Sequence, residues 1–187
     1  MTSRLFTAVL ASAALLPSAA AGQETVDSRW LPWLGCWQAG EEGQAPETLL
    51  VCVRPASAGN GGEIATIADG EVVSTRTLVA DGQLHDVQDE GCTGWQSASF
   101  SADGRRAFLH SELTCEGGAK RSASAIMAIA SPTEWLDAQS IGMDGERMPR
   151  VMRYRLAPES SAPEGFALTA RRVAAAADAR LLASAEL

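Results

Sequence analysis

The chain has 187 residues, of which 46% are hydrophobic, and its 15 basic and 23 acidic residues give a formal net charge of −8. This length suits one domain with its own core. The acidic balance and the scattered basic residues exclude the positive surface that nucleic acids or anionic membranes require.

Residues 1–21 have the pattern of a secretory signal peptide. Arg4 gives a positive start, an apolar run extends from Leu5 to Leu16, and Ala19 and Ala21 supply the small residues of a cleavage site. That run is shorter than the ~20 residues that a membrane span needs. We therefore predict an exported protein, periplasmic or extracellular, without a membrane span. Lys120 is the single lysine among the 15 basic residues, and this preference for arginine over lysine suggests a bacterial source.

Residues 22–157 alternate short β-rich segments with turn signals such as Asn60-Gly61-Gly62 and Asp81-Gly82. Strands are predicted from near Cys36 and over 47–54, 63–68, 72–80, 84–88, 93–101, 106–114, 120–130, 134–141 and 146–156. Since no helical pattern separates them, they indicate an all-β, antiparallel up-and-down meander. Twist should curl it into a barrel or half-barrel of about 8 to 10 strands. The alternatives are a β-sandwich, which needs longer crossovers, and a propeller, which needs a repeated blade motif.

Four cysteines follow the signal segment, and an even number in an oxidising compartment predicts two disulfides. Asp103-Gly104 is a hairpin signal; if these two residues form the loop, Cys92 lies opposite Cys115. Cys36 then pairs with Cys52. No Cys-x-x-Cys motif is present, which argues against a zinc ribbon or a redox role.

Residues 158–187 differ in composition from the strands. A Pro-containing loop comes first, and from about residue 167 the Ala, Arg and Leu content predicts a C-terminal helix. Its apolar face would carry Val173, Ala177 and Leu181, with Leu182 beside them. Residues 165–169 could instead form one more strand.

The segment Leu34-Gly35-Cys36-Trp37 resembles the opening of the lipocalins and related calycins, in which a short helical turn leads into a Gly-x-Trp. The resemblance implies that Trp37 closes one barrel end beneath an arginine of a late strand, for which Arg153 or Arg155 could serve. The longer run from Leu34 to Gly43 is also similar to nitrobindin haem-binding barrels. Those proteins bind haem through a late histidine, and no histidine follows His110, so we predict no cofactor.

His110 and Glu112 are the one imidazole–carboxylate pair to which we give a possible chemical role. Residues two apart on a strand share a face, so both could serve proton transfer in a small-barrel hydrolase or isomerase. The simpler interpretation, which we adopt, is a solvated strand face without a catalytic residue. Two histidines and no expected free cysteine are too few for a metal site.

Five tryptophans accompany a single tyrosine. We predict Trp37 and Trp95 as core residues that close the barrel or line a ligand site. The sequence favours a binding role in the bacterial cell envelope, for a small apolar ligand held in the barrel or for an envelope protein on its surface. A filled barrel would indicate a structural or interaction module, and a cavity of several hundred Å³ a carrier.

Overall fold

A computed structural model describes residues 27–41, 49–57, 59–89 and 91–184. The predicted signal peptide lies outside these ranges and stays a prediction. Within them, no helix combines the length and the apolarity that a membrane span requires.

Ten strands follow a short 3₁₀ helix, and an α-helix comes last. The 3₁₀ helix spans Ser28–Trp33, and the C-terminal helix, α1, spans Ala170–Ser184. The strands are β1 Gly35–Glu41, β2 Leu50–Pro55, β3 Gly62–Ala68, β4 Glu71–Leu78, β5 Asp81–Asp89, β6 Cys92–Phe100, β7 Arg106–Cys115, β8 Lys120–Ser131, β9 Glu134–Met143 and β10 Glu146–Leu156.

All ten strands form one antiparallel sheet in the order β4-β3-β2-β1-β10-β9-β8-β7-β6-β5. The predicted meander, its curled half-barrel form and the C-terminal helix are confirmed. β1 pairs with β10, and the two edges are β4 and β5. β6 lies next to the edge strand β5. Its Gln96 side chain donates a hydrogen bond to the Thr77 carbonyl oxygen of β4 over 3.3 Å, which links the two ends of the sheet.

The β6–β7 hairpin has the predicted register with a longer loop. Cys92 pairs with Cys115 and Phe100 with Ala107. The loop has four residues, 102–105, because Ser101 and Arg106 still pair through a 2.9 Å backbone bond. Gly104 takes a φ of 70° within it, a conformation that glycine adopts without strain.

Both predicted disulfides are present, between Cys36 and Cys52 and between Cys92 and Cys115. Each joins residues that lie directly opposite one another on paired strands. Cys36 lies on the outer face of the sheet, since its neighbour Trp37 points into the main core. There the Cys36–Cys52 bridge packs with Phe166 in a second, smaller core.

The main core is concentrated at the end of the half-barrel that the 3₁₀ helix covers, called here the closed end. Trp30 and Trp33 of that helix are 2% and 3% exposed. The Trp30 ring lies edge-on to Phe100 of β6, with 5.1 Å between centroids, and also contacts Gly62 of β3. One aromatic side chain therefore spans strands that are far apart in the sheet.

The apolar face predicted for α1 is wrong. Leu181 and Leu182 are 56% and 74% exposed, whereas Ala176, Arg180 and Ala183 are buried. The helix packs on the 3₁₀ helix and β8, and small alanine side chains allow the backbones to approach closely. Residues 165–169 do not form the alternative strand, although Phe166 is buried.

We predict that Gly62→Ala destabilises the protein by about 1–3 kcal/mol, the usual cost of overpacking a core. A Cβ at this position would lie 2.6 Å from Cζ3 of Trp30. The control is Gly40→Ala on β1, where a Cβ would have nothing within 4 Å. Urea denaturation should show a loss for Gly62→Ala alone; equal stability of both variants would contradict the packing.

Candidate functional site

Trp37 occupies the centre of the closed end and is fully buried. Its indole Nε1 donates to the Trp33 carbonyl oxygen over 2.9 Å, which ties β1 to the 3₁₀ helix. The Trp135 ring lies edge-on, with centroids 6.2 Å apart. The Arg180 guanidinium carbon lies 5.6 Å from the centre of the Trp37 ring, within cation–π range.

The arginine beside Trp37 thus comes from α1 and not from β10. Arg153 and Arg155 lie on the outer face of β10, because the register places the alternate residues Tyr154 and Leu156 opposite Ala39 and Trp37. Arg153 donates to Glu134, and Arg155 Nε lies 3.7 Å from a Glu134 oxygen. The expectation for these two arginines was wrong.

Trp95 is also placed differently from the expectation. It is half-buried and pairs with Glu112, whereas its neighbours Gln96 and Gly94 lie on the inner face. Its ring lies 5.1 Å from that of His110, outside the main core. Since strand side chains alternate between faces, an error of one residue is enough to exchange core for surface.

A cavity of about 270 Å³ lies between the closed end and the C-terminal segment. Residues 34–36 and Leu156 form its first wall, and the segment from Ala157 to Leu168 forms the second. Val173, Ala176 and Arg180 of α1 form the third. Exposed Glu159 and Ser160 also line it, whereas most of the remaining lining is apolar.

The second wall is held against the sheet by Arg54 of β2. Its guanidinium lies 4.4 Å from the centre of the Phe166 ring and donates both to the Gly165 carbonyl oxygen and to Glu63 of β3. Phe166 in turn covers the Cys36–Cys52 disulfide. In the first wall Gly35 has a φ of 121°, which a residue with a side chain rarely adopts. The second wall is therefore attached to the sheet through Arg54 and Phe166.

Arg180 is the one ionisable side chain of the described lining that is buried, at 5% exposure. Its Nη1 donates to the Leu34 carbonyl oxygen over 3.0 Å, while Nε has no hydrogen-bond partner in the described ranges. Burial lowers the pKa of Arg180 from its ordinary value, because desolvation disfavours the charged form. Sequence patterns did not reveal this residue, because arginine is almost never buried unless paired.

A second buried polar group lies on the inner face, at Asp137 of β9. It is 5% exposed and lies opposite Met127 and Met152 in neighbouring strands. Oδ2 accepts a 2.5 Å bond from Gln139, and Oδ1 has no described partner. Desolvation raises the pKa of Asp137, although Gln139 and the more distant arginines act in the opposite direction. A smaller cavity of about 100 Å³ adjoins it.

The His110–Glu112 pair lies on the outer face. His110 Nδ1 is 2.9 Å from Ser124 Oγ, and Nε2 is 3.6 Å from Glu112 Oε1. The latter distance exceeds a hydrogen bond, and the two side chains are 44% and 60% exposed. The pair thus lies on a solvated face, where water screens its charges. Sequence reasoning missed Ser124 because it lies on β8, the neighbouring strand.

No protein-family model matches the chain, and no curated protein matches it in sequence. The solved structures that are similar to it include two secretory abundant heat soluble (SAHS) proteins from Ramazzottius varieornatus. The first is 8% identical, with a TM-score of 0.45 over 67% of this chain and 96% of that one. SAHS protein 4 is 12% identical, with a TM-score of 0.45 over 68% and 96%. At these values the likeness assigns no function.

We expect Trp37→Ala to cost about 3–5 kcal/mol of unfolding free energy, as removal of a buried aromatic ring does. Trp37→Phe should cost clearly less, because most apolar area stays and only the bond to the Trp33 carbonyl oxygen is lost. Urea denaturation of the three proteins measures both differences. A loss below about 1 kcal/mol for Trp37→Ala would contradict the central role of Trp37.

Asp137 should make stability fall as pH rises. Because its pKa is raised in the folded state, its contribution is complete below the unfolded value of about 3.9 and is lost as pH rises through the folded value. Asp137→Asn removes the ionisation, so its stability relative to the wild type should increase as pH rises from about 4 to neutral. Urea denaturation along this range, with exposed Asp178→Asn as control, tests the sign. A constant difference would contradict it.

Proposed function

We propose that the protein is an exported binding protein that holds a small apolar ligand in the cavity between the closed end and α1. The observation that carries the proposal is the cavity itself, with Leu156, Phe166 and Leu168 among its walls. Binding pockets of proteins have this form, mostly apolar with few polar groups. Two disulfides are compatible with an oxidising, extracytoplasmic location.

The ligand site differs from the one expected from sequence, which lay inside the barrel. Tryptophan side chains fill the inner face at the closed end, where Trp33, Trp37 and Trp135 pack edge to face. The cavity instead adjoins the rim, between the sheet and the C-terminal segment. Side chains therefore fill the closed end of the half-barrel, and the cavity lies beside it and not within it.

The volume limits the size of the ligand. An apolar cavity of ~150 Å³ accommodates benzene, whereas drug-sized ligands occupy ~300 Å³ or more. At about 270 Å³ the present cavity lies between these limits. If the number of ligand atoms scales with cavity volume as for benzene in its cavity of ~150 Å³, the ligand has about ten non-hydrogen atoms.

A second candidate function is an interaction with an envelope protein. The outer face carries an apolar row in which Phe108, Ile126, Ala138 and Val151 are directly paired across β7 to β10. Phe108, Ile126 and Val151 are 39%, 48% and 57% exposed. Ile126→Lys would place a charge in this row. If a protein that co-purifies with the wild type from the native envelope no longer co-purifies with this variant, the result would favour this candidate.

We predict that octanamide, a neutral probe of ten non-hydrogen atoms, binds in the cavity. Val173→Trp should weaken its binding at least tenfold, because half-buried Val173 lines the cavity and the larger ring would fill it. Ala174→Trp, one residue further along α1 and exposed outside the described lining, is the matched control. Calorimetric titration measures both. Equal octanamide binding by both variants would contradict the proposed site.

A further inference from the structure

Among the described residues, no anionic group balances the guanidinium that Arg180 places at the cavity. Arg180 is 5% exposed, and in the described ranges its guanidinium contacts the Leu34 carbonyl oxygen and the Trp37 ring. A carbonyl oxygen and an aromatic face attract a cation, but neither carries a full negative charge. Buried charges in proteins are usually paired, because an unpaired one has lost its hydration without compensation.

The nearest carboxylate in the cavity lining does not fill this role. Glu159 is exposed, follows the end of β10, and forms no ion pair with Arg180 in the described ranges. Asp178, two positions before Arg180 on α1, is exposed as well. Among the described residues, Nε of this buried cation thus has no partner at the wall of an apolar cavity.

We propose that the ligand of this cavity is a small apolar carboxylic acid, whose carboxylate pairs with the Arg180 guanidinium while its hydrocarbon part lies among Leu156, Phe166, Leu168 and Val173. This inference rests on the proposed function and adds the chemical class of the ligand. A guanidinium suits the role because its planar donors match the two oxygens of a carboxylate. Nη1 remains bonded to Leu34, and Nε, which has no partner in the described ranges, is a donor left for the ligand.

The first test needs no variant. Octanoate and octanamide have the same number of non-hydrogen atoms and nearly the same shape, but only octanoate is charged at neutral pH. Calorimetric titration of the wild-type protein should give a dissociation constant at least tenfold lower for octanoate. Equal affinity, or a preference for octanamide, overturns the inference.

The second test assigns the preference to Arg180. Arg180→Gln should reduce the preference for octanoate over octanamide to less than about threefold, because glutamine removes the charge and keeps part of the apolar stem. Arg171→Gln, the same change at an exposed position of α1 outside the described lining, is the matched control, and it should leave the preference intact. Persistence of the preference in Arg180→Gln overturns the assignment.

A third measurement covers the case in which Arg180→Gln does not fold. The carboxyl carbon of ¹³C-labelled octanoate, observed by NMR with the wild-type protein, should titrate at lower pH when bound than when free. An unchanged or raised titration midpoint overturns the inference. Binding of octanamide without a preference for octanoate would leave the proposed function standing and remove this inference alone, whereas failure of both probes to bind would remove the proposed function.

Discussion

The burial of Trp37 is the constraint on which the closed end depends. Its ring lies on the first strand, its indole nitrogen is fixed by the 3₁₀ helix, and the guanidinium of Arg180 from α1 lies beside it. Two consecutive elements near the start of the described chain and the C-terminal helix therefore meet at one side chain. A buried indole N–H usually finds a hydrogen-bond acceptor, and for Trp37 the Trp33 carbonyl oxygen is that acceptor. The position of α1, and hence of the cavity, follows from this arrangement.

Local chemistry made the strands and the disulfides predictable from the sequence. Asp-Gly turns and an alternation of period two are local signals, so the register of the hairpin, and with it the Cys92–Cys115 pair, could be worked out from two residues. The side-chain environment is not local. Trp95 was assigned to the wrong face, and α1 buries Arg180 while Leu182 is exposed, because contacts with distant elements decide those positions.

The inner face combines two chemical environments. Tryptophans fill the closed end, whereas Asp137, Gln139 and Gln96 place polar groups around the smaller cavity further along the strands. A buried carboxylate among methionines is costly, and its raised pKa reflects that cost. The Trp-filled end leaves little room for an apolar ligand inside the sheet. The larger apolar cavity accordingly lies outside it, where the C-terminal segment crosses the rim.

Arg180 couples the closed end to this cavity. The same guanidinium holds the Leu34 carbonyl oxygen, lies beside Trp37 and lines the cavity. Folding removes it from water, and a bound anion would offset that cost in the folded state only. A ligand that binds the native state stabilises it by RT ln(1 + [L]/Kd), about 2.7 kcal/mol at a hundredfold excess over Kd. Binding of a carboxylate at Arg180 would therefore also strengthen the attachment of α1 to the barrel, because the helix supplies the residue that the ligand contacts.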